Sequence, residues 1–167
     1  MSGATPSPQP ASLVRKVLTT SSIGAEGWRR PLVFTNGVFD VLHPGHVSYL
    51  AAARALGATL LVAVNSDVSA RQLGKGPDRP VNAELDRLVV VAALESVSYA
   101  LLFEEPDPCA LIARCRPDVY VKGGDYDMES LAETALVRGW GGRSLGLPFV
   151  AGYSTSELAR RIRALPG

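Results

Sequence analysis

Thr35-Asn36-Gly37-Val38-Phe39-Asp40-Val41-Leu42-His43-Pro44-Gly45-His46 joins the end of an apolar strand to the start of a helix. Leu32-Val33-Phe34 just before it suits a buried parallel strand, and Val47 to Leu56 just after it carries the Leu and Ala of a helix. Both of the chain's histidines fall in the turn between them. Pro44 fits a first helical position, where a missing N–H costs nothing, and Gly45 removes the side chain that would keep a ligand off the backbone. The free N–H groups of such a helix start face an anion. Histidines at i and i+3 share one face, so His43 and His46 can both direct ring N–H donors at that anion, as a clamp for a phosphoryl group. Capping or surface histidines are the plainer alternative. Zinc fits less well, because no cysteine or third histidine is near and Asp40 alone makes a poor third ligand.

Working outward, 167 residues at 47% hydrophobic and 20% charged content suffice for one well-buried domain and are too few for two ordinary ones. A net charge of +1 gives no field for nucleic acid, so none is expected as a partner. Cys109 and Cys115 have neither redox nor metal spacing and read as reduced structural thiols. No apolar run approaches the roughly 18 residues of a membrane span, and Met1 to Ala11 lacks the apolar core of a signal peptide. No membrane association and a cytoplasmic location are the expectations.

Residues 1–11 read as a disordered tail, since small, polar and Pro-rich sequence buries too little to offset its ordering entropy. Residues 12–167 read as a single domain, with a short leading helix over Leu13 to Leu18. From Leu32 onward apolar runs alternate with helical patterns. Strands are expected at Leu32–Phe34, Thr59–Val64, Tyr99–Phe103, Val119–Val121 and Arg143–Leu147, with helices near 46–56, 83–95, 107–114, 129–138 and 156–164. Such alternation predicts an α/β fold, a Rossmann-like three-layer sandwich around a five-stranded parallel sheet. Polar signals gather where these strands end: the histidine turn, Asn65-Ser66-Asp67, and Lys122-Gly123-Gly124-Asp125-Tyr126. Ligands of open α/β sheets bind at such carboxyl ends, at the switch point in strand order. If the first and fourth of these strands are neighbours, their motifs form one cleft.

Four further features have both a plain and a functional reading. Leu73 to Pro80 is a Gly- and Pro-containing loop, either solvated or a lid whose Lys75 closes over phosphates. Arg87 follows Glu84 and Asp86, so it is either a surface ion pair or a two-pronged grip on a triphosphate. Gly152-Tyr153-Ser154-Thr155-Ser156-Glu157 supplies helix N-caps in any case, and its hydroxylated helix start is also a second anion site. The glycines of Lys122 to Tyr126 fit a tight turn or the close approach of a base or sugar, with Asp125 as acceptor.

The histidine turn, Asn36-Gly37-Val38-Phe39-Asp40 before it and Tyr153-Ser154-Thr155-Ser156 downstream resemble the cytidylyltransferase-like nucleotidyltransferase superfamily. Within it, Phe34 to Tyr49, Val62 to Asp67, Arg79 to Asn82, Lys122 to Tyr126 and the Ser154 segment together resemble the heptose 1-phosphate adenylyltransferase family of Gram-negative bacteria. Many relatives fuse this domain to a sugar kinase, for which 167 residues leave no room, so the stand-alone form is expected. The resemblance implies transfer of the adenylyl group of ATP to D-glycero-beta-D-manno-heptose 1-phosphate, giving ADP-heptose and pyrophosphate for lipopolysaccharide inner-core synthesis. It implies ATP and the sugar 1-phosphate as partners, Mg2+ as cofactor with ATP, and a homodimer. His43, His46 and Lys75 would be catalytic. Thr35, Asn36, Gly37, Phe39, Gly45, Arg87, Lys122, Gly123, Asp125, Tyr153, Ser154 and Thr155 would bind the nucleotide, and Asp40, Asn65 and Asp67 the sugar phosphate. No residue is expected to be a resident metal ligand. Two alternatives stay open: a cytidylyltransferase acting on glycerol 3-phosphate or another alcohol phosphate, and a regulatory nucleotide binder that has lost turnover.

Overall fold

A computed structural model describes residues 11–24, 27–74, 76–148 and 150–165. A short helix α1 (Ala11–Val14) leads into strand β1 (Val17–Leu18), and then the main alternation begins. It runs β2 (Leu32–Gly37), α2 (Pro44–Arg54), β3 (Thr59–Asn65), α3 (Asp67–Gln72), α4 (Glu84–Ala92), β4 (Tyr99–Phe103), α5 (Cys109–Cys115), β5 (Val119–Gly123), α6 (Ala132–Arg138), β6 (Arg143–Leu147) and α7 (Thr155–Arg163). The strands form one parallel sheet in the order β1-β4-β3-β2-β5-β6.

The expected α/β, Rossmann-like architecture is present, with six strands in place of five. The additional strand is β1, which pairs Val17 and Leu18 with Ala100 and Leu101 at the sheet edge. It also corrects the leading helix expected over Leu13 to Leu18, which ends at Val14. Two residues are too few to show the alternation that marks a strand in sequence. Helix α3 was likewise not expected. Ser66 starts it by accepting a hydrogen bond from Ser69 N through its side chain, so the Asn65-Ser66-Asp67 turn is also a helix cap. Of the tail expected over 1–11, residues 1–10 lie outside the described residues and Ala11 opens α1.

The central strands are apolar along their length because both faces are covered. On one face Tyr49, Leu50 and Ala53 of α2 and Leu88, Val91 and Ala92 of α4 pack on Val33, Leu60, Val62 and Val121. On the other, Leu111, Ile112 and Cys115 of α5 and Val137 of α6 pack on Phe34, Leu61, Leu101 and Tyr120. After β2 the chain moves toward β3, whereas after β5 it moves toward β6 on the opposite side. Strands β2 and β5 are paired neighbours, so the strand order reverses between them, and a crevice opens outside their carboxyl ends.

Helix α2 is pinned to that point by a polar contact inside the core. Thr35 Oγ1 and the Tyr49 hydroxyl lie 2.6 Å apart, and the Tyr49 hydroxyl donates to the Val121 carbonyl at 3.2 Å, linking β2, α2 and β5. Burial pushes the Tyr49 pKa up, so the phenol stays protonated and remains a donor. Replacing Tyr49 by Phe strips Thr35 of its buried partner and should cost about 1–3 kcal/mol. A thermal melt should show a fall of several degrees; an unchanged Tm would mean the hydroxyl pair holds nothing.

Candidate active site

The crevice between the ends of β2 and β5 is a cleft of about 820 Å3. Its floor is the histidine turn, and that turn is strained. Phe39 and Val41 both have left-handed backbones, with φ of 50° and 48°. For a β-branched residue this conformation is an outlier, and such strain costs on the order of 1–3 kcal/mol per residue. Asp40 between them holds the turn. Its carboxylate is 5% exposed and accepts from Val81 N at 2.7 Å, Asn82 N at 3.0 Å and the Arg79 guanidinium at 3.3 Å. Its carbonyl accepts from the Thr155 hydroxyl at 2.7 Å, which ties the start of α7 to the same turn.

The turn delivers His43 as the N-cap of α2, with Pro44 at the first helical position. The His43 and His46 rings stack at 3.9 Å and 22°, and both line the cleft. Phe39 meets His46 edge-on at 5.6 Å, and Tyr153 lies parallel to His43 at 6.4 Å. Gly45 makes the stack possible, because a Cβ there would sit 2.9 Å from two His43 ring atoms and 3.1 Å from Tyr153 Cβ. Burial holds the His43 pKa below the ordinary histidine value, so at pH 7 the ring is a neutral hydrogen-bonding group. Its Nδ1 is buried with no hydrogen-bond partner among the described residues.

Most of the remaining residues singled out from sequence border the same cleft. Asn36, Gly37, Lys122, Gly123, Tyr153, Ser154, Thr155 and Asn65 all line it. Tyr120 donates to Asn36 Oδ1 at 3.1 Å, and the Lys122 ammonium stands 5.2 Å from the Tyr126 ring. Ser154 caps α7 by accepting from Glu157 N, and Asn65 donates to Ser69 Oγ.

Four fall elsewhere. Thr35 is fully buried on Tyr49, so it supports the site from beneath. Asp125 is exposed outside the cleft. Arg87 corrects the expectation of a phosphate ligand: it is 1% exposed, and its guanidinium donates to Asn82 O, Val38 O and Asp67 Oδ1 at 2.7–3.0 Å. Asp67 is correspondingly occupied by Arg87 and does not line the cleft. Lys75 lies outside the described residues. Burial raises the Cys109 and Cys115 thiols to about 12, so neither supplies a thiolate at neutral pH.

A model of the cytidylyltransferase-like family matches residues 34–161. The chain belongs to that family. It is 52% identical over 153 residues to the D-beta-D-heptose 1-phosphate adenylyltransferase of Bordetella bronchiseptica, covering 92% of this chain and 94% of that protein. It is 48% identical over 151 residues to the bifunctional protein HldE of Edwardsiella ictaluri, covering 90% of this chain but 31% of HldE. Among solved structures, the lipopolysaccharide core biosynthesis protein of Thermoplasma volcanium superposes with a TM-score of 0.60 at 30% identity, over 71% of this chain and 95% of that one. Pantothenate synthetase of Thermus thermophilus, at 19% identity and a TM-score of 0.54, shares the fold over 80% of this chain and 62% of its own.

In this cytidylyltransferase-like cleft several lining residues carried no local signal in sequence. Arg79 entered only as the start of the Arg79 to Asn82 segment of the resemblance, Tyr126 as the end of the Lys122 segment, and Asp107 and Glu133 not at all. They converge because the connections after β3, β4 and β5 open on the same rim. The buried role of Arg87 is testable. An Arg87→Met change leaves Asp67 and two carbonyls without their donor and should destabilise by about 3–5 kcal/mol. Urea unfolding reads this directly, whereas loss of a solvent-facing phosphate ligand would leave the midpoint within about 0.5 kcal/mol of the parent.

Proposed function

We propose that this chain transfers the adenylyl group of ATP to D-glycero-beta-D-manno-heptose 1-phosphate, releasing pyrophosphate and ADP-heptose for lipopolysaccharide inner-core synthesis. The observation that carries this proposal is the 52% identity with a heptose 1-phosphate adenylyltransferase along 94% of that relative's length. A stacked histidine pair at a helix N-terminus, in a cleft of about 820 Å3, supports it independently.

The reaction is a direct displacement. An oxygen of the sugar phosphate attacks the α-phosphorus of ATP, the bond to the bridging α,β-oxygen breaks, and its electron pair leaves with pyrophosphate. Charge builds on the non-bridging α-oxygens as the phosphorus becomes crowded. His43 and His46 are assigned to those oxygens as preorganised donors, next to the positive end of the α2 dipole. The Ser154 end of α7 offers a second helix start for the β- and γ-phosphates. Lys122, at the end of β5, supplies positive charge to the cleft. Lys75, between Gly74 and Gly76 in sequence, is assigned to a loop that closes over phosphates. Asp40 belongs to the scaffold of the turn in this mechanism, since its carboxylate is already occupied by Val81, Asn82 and Arg79.

Mg2+ enters as the counter-ion of ATP, part of the substrate, in keeping with its habit of binding through phosphates and water. Among the described residues no three His, Cys, Asp or Glu side chains gather where they could hold a metal, so no residue is assigned to it. A homodimer belongs to the same proposal; exposed Ile162 and Leu165 in the C-terminal segment are apolar surface available for one. So does a cytoplasmic location, with which the absence of any long apolar helix among the described residues agrees.

Pyrophosphate release with ATP against CTP, each offered with heptose 1-phosphate and with glycerol 3-phosphate, is the deciding experiment. Turnover is expected with ATP and heptose 1-phosphate; preference for CTP and glycerol 3-phosphate would replace this assignment with the cytidylyltransferase one. In the active pair, His46→Ala should lower kcat by about 10²–10³ with little change in Tm. Gly45→Ala, which displaces the His43 ring without removing it, should lower kcat by about 10². Near-normal turnover in both variants would defeat the clamp.

A further inference from the structure

The two walls of the cleft differ in chemistry. One wall, carrying His43 and His46 on α2 and Arg79 beside Asp40, is rich in donors suited to phosphate. The other belongs to the helices on the opposite face of the sheet, and there two carboxylates join Lys122 at the end of β5. Asp107 lies on the connection from β4 to α5, and Glu133 is the second residue of α6.

Glu133 is 7% exposed, lines the cleft and makes no hydrogen bond or ion pair among the described residues. That arrangement is unusual. The ion pairs among the described residues are either at the surface, as Arg138 with Glu129, or built into the scaffold, as Arg87 with Asp67. A carboxylate held in so enclosed a position with its oxygens open to the cleft and no protein partner is placed to accept hydrogen bonds from a ligand. A carboxylate is an acceptor only, and it repels phosphate. The ligand group must therefore bring donors and no negative charge. An adenine amino group meets that description with one group, whereas the hydroxyls of a sugar meet it several times over and can serve Glu133 and Asp107 together.

We propose that Glu133 is a specificity residue for the sugar, its carboxylate accepting hydrogen bonds from hydroxyls of the phosphorylated acceptor while the acceptor's phosphate is held toward the histidine wall. This assignment rests on the adenylyl transfer proposed above. It makes the cleft an electrostatic sorter, in which phosphates and polyol are drawn to opposite walls and the reacting oxygen is oriented between them.

Glu133→Gln keeps the shape and one acceptor, and Glu133→Ala removes both oxygens. Steady-state pyrophosphate release is measured with heptose 1-phosphate varied at saturating ATP and then with ATP varied at saturating sugar, alongside thermal melts and calorimetric titration of ATP alone. The expected result is a rise of about tenfold or more in KM for the sugar in the Ala variant, of the order lost with a hydrogen bond to a charged group. A smaller rise is expected in the Gln variant, with KM for ATP and ATP binding unchanged in both. If the Ala variant fails to fold, the near-isosteric Gln variant carries the test through its KM for the sugar. Constants equal to the parent's, or a change confined to ATP, overturn the assignment of Glu133 and leave adenylyl transfer standing. Absence of turnover by the parent protein with ATP and heptose 1-phosphate would remove both.

Discussion

The site depends on one buried carboxylate. Two left-handed residues on either side of Asp40, one of them the β-branched Val41, would not persist unaided, and Asp40 supplies what holds them. Two backbone N–H groups and a guanidinium converge on its oxygens, and a hydroxyl from far along the chain caps its carbonyl. Hydrogen bonds to an ionised acceptor are about twice as strong as neutral ones, which gives this cluster the means to offset the strain. What the strained turn achieves is direction. It carries the chain from the end of β2 into α2 with His43 at the cap and His46 one turn on, so that the two rings stack where they line the crevice.

The parallel sheet explains why so short a turn is enough. Every strand ends on the same rim, and the reversal of strand order between β2 and β5 leaves an opening there that no crossover helix covers. Groups contributed by segments separated by tens of residues then meet without any of them needing a long excursion. Gly45 shows how closely that meeting is fitted, since a single added carbon would strike the His43 ring and approach Tyr153.

The alternation of apolar runs and helical periods exposed the five long strands and the parallel fold, because buried central strands have no polar face to blur the signal. Strand β1 escaped, since two residues at a sheet edge carry no period of their own. The histidine turn was legible because Pro, Gly and two histidines in one junction state a local geometry. Arg87 was misread for the opposite reason. Its charge is visible in sequence, but whether it faces solvent or the carbonyls of Val38 and Asn82 depends on how α4 packs, and no local pattern encodes that. Glu133 was invisible for the same reason: a carboxylate in a first helical turn is ordinary until the helix is placed against a cleft.

The Thr155 hydroxyl reaches the Asp40 carbonyl across 115 positions of chain, and Tyr153 stands beside His43. The sheet itself is complete at Leu147. During synthesis, therefore, a chain that has just emerged to the end of β6 already holds the six described strands and both histidines, yet the wall beside His43 and the cap on its supporting turn are still to follow. The wall beside His43 and the cap on its turn thus come from a segment made after the last of these strands, so the sheet can consolidate before the cleft is closed on that side.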